Sequence, residues 1–271
     1  MSVSGLPGRL VVDSCCLSHL ARPAARLRFH EHLDESNLVP APSAINALEV
    51  ARCTSPEYRE HLQDTLRFLS GGRGLLPSPR AVLKDVGRAL AHGLRWRPEA
   101  QRLNGPFDRP APSRSASQLH EDADQSDNAW RLLFQQKRSA LRPLVPDPRY
   151  WPNARSFVNQ VSADRTNVRA FVSALWSKFG LAGDAPVDAL LGSRPWRMFL
   201  DIVAFMAYEM SVLRGSEPKQ VQVNDLYQLI YLVDAERALL VTEDEGLLRA
   251  GTEIVNGRYP GAQVVKWAAF N

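Results

Sequence analysis

Two periods run through the apolar positions of this chain. Leu10 to Val12 is a short unbroken apolar run that stops at Asp13, and "ALLVT" (238–242) is a second. Runs of this length predict buried strands. "NLVPAPS" (37–43) reads as another short extended piece, and "AQVVKWAAF" (262–270) as a final strand. Elsewhere the spacing is helical. Ser14 to about Leu33 has helical spacing, interrupted at Pro23. Ser43 can cap a helix over "AINALEVAR", where Ile45, Leu48 and, less regularly, Val50 favour one side. "SPEYREHLQDTLRFL" opens with Ser55 as N-cap and Pro56 at the first helical position, and it stops at Gly71–Gly72. "VNDLYQLIYLVDAERA" predicts a helix carrying Leu226, Leu229, Ile230 and Val233. "EDEGLLRAG" predicts a short helix stopped by Gly251.

The middle of the chain differs. Residues 73–197 show helical patterns and no run of strands, and 104–127 are rich in Pro, Ser and Asp, which reads as a flexible loop. Strands alternating with helices at both ends of the chain predict a mostly parallel sheet. The expected fold is therefore α/β: a split domain of residues 1–72 and 215–271, interrupted by a large, mainly helical insertion over 73–214.

Composition narrows the class without setting the function. The 271 residues are 45% apolar and 23% charged, enough for a real core. Formal net charge is +4, and the sequence pI is about 9.1. The basic residues are almost all arginine, which matches phosphate with a bidentate fork. That balance fits a nucleic-acid partner but does not demand one. Cys15, Cys16 and Cys53 form neither a disulfide framework nor a zinc pattern. The start of the chain lacks signal-peptide character, and the apolar stretch "MFLDIVAFMAYEM" is broken by Asp201 and Glu209. A soluble, cytoplasmic protein with no membrane partner is expected.

The acids carry the chemistry. In a parallel sheet the carboxyl ends of the strands gather on one edge, where ligands bind. Asp13 and Asp244 each follow a predicted strand, Glu49 lies on a helix, and Asp225 opens another. Taken alone, Asp13 reads first as a helix cap, Glu49 as a solvated face and Asp225 as a cap. Four carboxylates converging on one edge would repel unless a cation sat among them. Hard ions such as Mg²⁺ or Mn²⁺ take such oxygen ligands.

This set of residues resembles the PIN-domain nucleases. That pattern begins with a strand ending in Asp and a hydroxyl residue, here Asp13–Ser14–Cys15, with Cys15 where Asn is usual. Pro42 and Glu49 follow, then Asn224–Asp225, then "LLVTED" with Thr242 and Asp244. Nineteen residues separate Asp225 from Asp244, about what one helix and one strand need. The resemblance implies a Rossmann-like α/β/α sandwich and metal-dependent phosphodiester hydrolysis, of RNA more often than DNA. It also implies that Asp13, Glu49, Asp225 and Asp244 hold Mg²⁺ or Mn²⁺, with Ser14 and Thr242 as supporting hydroxyls. A toxin restrained by an antitoxin protein is one biology that goes with the resemblance. The long middle segment has no counterpart in the pattern; gripping RNA, selecting a partner and forming a homodimer are all roles open to it.

Other features have plainer readings. A haloacid-dehalogenase-like phosphatase needs a second Asp at position 15, where this chain has Cys. Asp201 and Glu209 read as partnered interior or edge acids, and His30 and His32 as surface. Glu243 and Glu245 read as helix-start acids, and Asp234 as surface. Cys15 and Cys16 read as small buried residues. Arg95, Trp96, Arg97 and Arg102 interleave cations with a ring, which suits a single nucleic-acid strand as well as it suits a solvated loop. The alternatives to an RNA nuclease are a structure-dependent DNA nuclease and a non-catalytic binding scaffold on the same fold.

Overall fold

The computed structural model describes residues 7–71, 75–94, 151–181, 183–209, 225–233 and 235–270. It divides into two compact units: the described residues up to 78 and from 231 onward form one, and the described residues from 79 to 230 form the other. Arg95, Trp96, Arg97 and Arg102, the 104–127 stretch and Asp234 lie outside the described residues.

The first unit is an α/β fold around a four-stranded parallel sheet. β1 (Gly8–Val12) lies between β2 (Leu38–Pro40) and β3 (Ala238–Thr242), and β4 (Ala262–Lys266) pairs with β3. Val12 stands beside Val241, and Val241 beside Val265. Because side chains alternate along a strand, Val12, Val241 and Val265 share one face, while Val11, Leu240 and Val264 share the other. The first face packs against Leu17, Leu20, Phe29, Leu33, Leu66 and Trp267.

Local chemistry sets the helices of this unit. α1 (Ser14–Leu17) is capped by Asp13, and a three-ten turn (Ser18–Ala21) leads into α2 (Pro23–Ser36), which Asn37 ends at φ 49. α3 (Ala44–Arg52) is capped by Ser43, and α4 (Pro56–Ser70) by Ser55 with Pro56 in the first turn. Gly71 closes α4 at φ 52, where a side chain would be strained.

Three expectations change. The helix expected over "VNDLYQLIYLVDAERA" is helical at 225–227 and then tightens into a three-ten turn, Gln228–Leu232. Leu226 to Val233 are all buried, so this stretch has no solvated face of the kind an amphipathic helix needs. Gly251 does not stop its helix: α10 (Glu245–Ala250) runs on into a π-helical turn, Gly251–Val255. Glycine is needed there for space, because a Cβ at 251 would lie 2.4 Å from Val264 Cβ. The final strand ends at Lys266, and Trp267–Phe270 is a short helix, α11. Trp267 and Phe270 are buried and three residues apart, while Ala268 and Ala269 are exposed, which is a helical and not a strand period.

The second unit is helical throughout its described residues: α5 (Pro79–Ala91), α6 (Ala154–Ala163), α7 (Arg165–Lys178), α8 (Val187–Gly192) and α9 (Arg194–Tyr208). Trp196 is fully buried and donates from Nε1 to the Leu83 carbonyl at 3.0 Å. Asp201 is also fully buried and accepts from Ser162 Oγ at 2.9 Å, a partnered interior acid. No described helix is long and apolar enough to cross a membrane.

Candidate metal centre at the carboxyl edge of the sheet

The chain order of the strands creates the crevice. β2 lies on one side of β1, and β3 and β4 lie on the other, so the connection leaving the carboxyl end of β1 and the one leaving β3 diverge. Ligand sites in open parallel sheets form at such a divergence. Asp13 and Asp244 both stand on this edge, just past β1 and β3.

Asp13 is held from several sides. Its backbone N–H donates to the Val241 carbonyl at 2.9 Å, which continues the β1–β3 pairing beyond the strand. Oδ1 accepts from the Ser14 backbone N–H at 2.7 Å. Oδ2 accepts from Thr242 Oγ1 at 2.6 Å and from Cys15 Sγ at 3.0 Å. Thr242 Oγ1 in turn accepts the Asp244 N–H at 2.9 Å. Asp13 is 3% exposed and Thr242 fully buried, so these bonds work in a weakly screened setting.

Asn46 links α3 to this edge. Its amide donates to the Val12 carbonyl at 3.0 Å and to Ser14 Oγ at 2.9 Å. Its Oδ1 accepts from the Ser43 N–H at 2.8 Å and from Ser43 Oγ at 3.0 Å, closing a capping box. Asn46 is fully buried. Glu49 lies three residues on, along the same side of the helix. Asn46 thereby sets where Glu49 sits, and a carboxylate oxygen of Glu49 lies within 4.8 Å of one of Asp13. Two unit charges at that separation repel by about 3–4 kcal/mol at an effective dielectric constant of about 20. A bound cation would relieve that repulsion, and two hard oxygen ligands suit Mg²⁺ or Mn²⁺.

The remaining expected residues are placed as follows. Asp244 caps α10, its Oδ1 accepting the Leu247 N–H at 2.6 Å, and it is not among the acids grouped within 4.8 Å of one another. Asp225 is half-buried and opens the helical residues 225–227 of the second unit. Glu245, in the first turn of α10, pairs with Lys266 at 3.0 Å. His30 and His32 are not set up for a shared ion: His30 pairs with Asp34 at 3.2 Å, and the His32 ring stands edge-on to Phe270.

The cysteines need a correction. Cys16 is fully buried, but Cys15 is exposed. The residue after Ser14 faces outward because α1 turns its apolar side, Cys16 and Leu17, into the core. The two sulfurs are 3.7 Å apart, and the Glu243 N–H donates to Cys15 Sγ at 3.3 Å. The contact with Cys16 lowers the Cys15 thiol pKa, helped by the Glu243 N–H and opposed by burial and the Asp13 carboxylate. The same contact and burial push the Cys16 thiol well up. Asn46 and Cys15 are the participants that sequence reasoning passed over. A capping box normally carries Glu or Gln at the third helical position, so Asn46 gave a weak signal. No protein-family model, curated protein or solved structure matches the chain.

Proposed function

We propose that this protein is a metal-dependent endoribonuclease of the PIN-domain type, built on a Rossmann-like α/β/α core with a helical region inserted between its two halves. The observation that carries the reading is the Asp13–Glu49 carboxylate pair at the point where the connections from the sheet diverge. The chain order of the acids Asp13, Glu49, Asp225 and Asp244 supports it from the sequence. The residues fit a hard divalent ion: Asp13 is buried and oriented by three donors, and the nearby Glu49 carboxylate supplies a second hard oxygen.

A bound Mg²⁺ or Mn²⁺ supplies the Lewis acid for a phosphodiester and lowers the pKa of an attacking water. The protein supplies position. Thr242 and the Ser14 N–H hold the Asp13 carboxylate in one orientation, which keeps its direction fixed as charge builds on the phosphate. Asn46 keeps α3 against the end of β1, which holds the Glu49 carboxylate near Asp13. Thr242 also ties the Asp244 backbone to Asp13, coupling the ends of β1 and β3.

The test is cleavage of end-labelled single-stranded RNA with Mn²⁺ or with chelator. Wild type should cut only with metal, leaving 5′-phosphate and 3′-hydroxyl ends, and Glu49→Gln and Asp244→Asn should abolish cutting. Metal-independent cutting, or no cutting of RNA, contradicts the reading. Cutting of DNA alone would reassign the substrate.

A further inference from the structure

The geometry points to a thiol site beside the carboxylates: Cys15 and Cys16 bind a soft or borderline cation, Cd²⁺ or Zn²⁺, and its binding there displaces a hard ion from Asp13. The displacement, though not the thiol site itself, rests on the carboxylate reading above. Position 15 places sulfur where the edge otherwise offers oxygen. Cys15 Sγ is 3.0 Å from Asp13 Oδ2 and 3.7 Å from Cys16 Sγ. Two thiolates at about 2.3 Å on a tetrahedral ion stand roughly 3.8 Å apart, so the sulfurs already have close to the needed separation. Thiolate ligands select Zn²⁺, Cd²⁺ and similar ions over Mg²⁺. Cys15 is exposed and admits the ion; Cys16 is buried and supplies a second sulfur from within the core.

Binding forms two sulfur–metal bonds and releases two protons to solvent. It also removes the Cys15 hydrogen from Asp13 Oδ2 and places the ion's positive charge beside that carboxylate, which disfavours a second cation there. Soft cations therefore act as inhibitors of the proposed enzyme.

The test is titration of the full reduced chain with Cd²⁺, read by the ultraviolet sulfur-to-cadmium charge-transfer band. Wild type should saturate at one ion per chain. Cys15→Ser, at an exposed position, should weaken binding at least about tenfold, because the soft ligand that selects the ion is gone. Cys53→Ser should change nothing. No band in wild type, or an unchanged titration in Cys15→Ser, overturns the thiol site. In a second arm, bound Mn²⁺ is followed by electron paramagnetic resonance. Cd²⁺ should displace it from wild type and should require at least about tenfold more ion in Cys15→Ser. Retention of Mn²⁺ at saturating Cd²⁺ overturns the displacement. Absence of any Mn²⁺ binding defeats the carboxylate reading, while the cadmium band still decides the thiol pair.

Discussion

Thr242 carries more of this edge than its size suggests. One hydroxyl donates to Asp13 and accepts from the Asp244 backbone, and both hydroxyl and carboxylate are buried. Replacing it with valine keeps the shape and leaves a buried carboxylate short of a donor. Thr242→Val should therefore lower unfolding free energy by about 1–3 kcal/mol, measured by urea denaturation. A change within a few tenths of a kcal/mol would mean that Asp13 has other donors sufficient to hold it. The positions of Asp13, Thr242 and Asp244 were readable from sequence, because Asp13 and Thr242 close apolar runs and Asp244 follows two residues after Thr242. Asn46 was not, since an asparagine on a helix gives no sign of which backbone carbonyl it will reach. Its four side-chain hydrogen bonds are to groups on two segments, one of them more than thirty residues away in sequence. Cys15 was misread because small apolar-like residues beside a strand are usually buried, whereas α1 directs only Cys16 and Leu17 inward.

At the scale of elements, strands and caps were legible and endings were not. Ser43, Ser55 and Pro56 stand where their chemistry requires, because capping is a local property. Gly251 shows the limit of local reasoning. Glycine near a helix end suggests a stop, but here it makes room for Val264 of β4, a tertiary demand that the local sequence does not reveal. Gly251→Ala should accordingly destabilise the fold by about 1–3 kcal/mol through overpacking, lowering the melting temperature. Val264→Ala in the same chain should recover part of that loss, and a neutral Gly251→Ala would contradict the close approach. Trp267 and Phe270 carried a usable signal. Their spacing of three is helical, but the apolar run joining them to β4 masked it.

For the whole molecule, the parallel sheet followed from strands alternating with helices at both ends of the chain. The order β2-β1-β3-β4 then brings the ends of β1 and β3 side by side, though more than two hundred residues separate them. What the sequence could not supply is distance. It named four carboxylates for one edge; the fold places Asp13 and Glu49 within 4.8 Å and engages Asp244 Oδ1 as a helix cap. A metal centre on this edge requires that first pair to hold a divalent ion. The most direct measurement is calorimetric titration of the whole chain with Mn²⁺, comparing wild type with Glu49→Gln. The variant removes one charge and leaves the Asp13 hydrogen bonds in place. Wild type should bind Mn²⁺ and melt at a higher temperature with it, as any ligand of the folded state requires, while Glu49→Gln should lose most of both effects. Equal binding by the two proteins, or none by either, would contradict a metal centre built on Asp13 and Glu49.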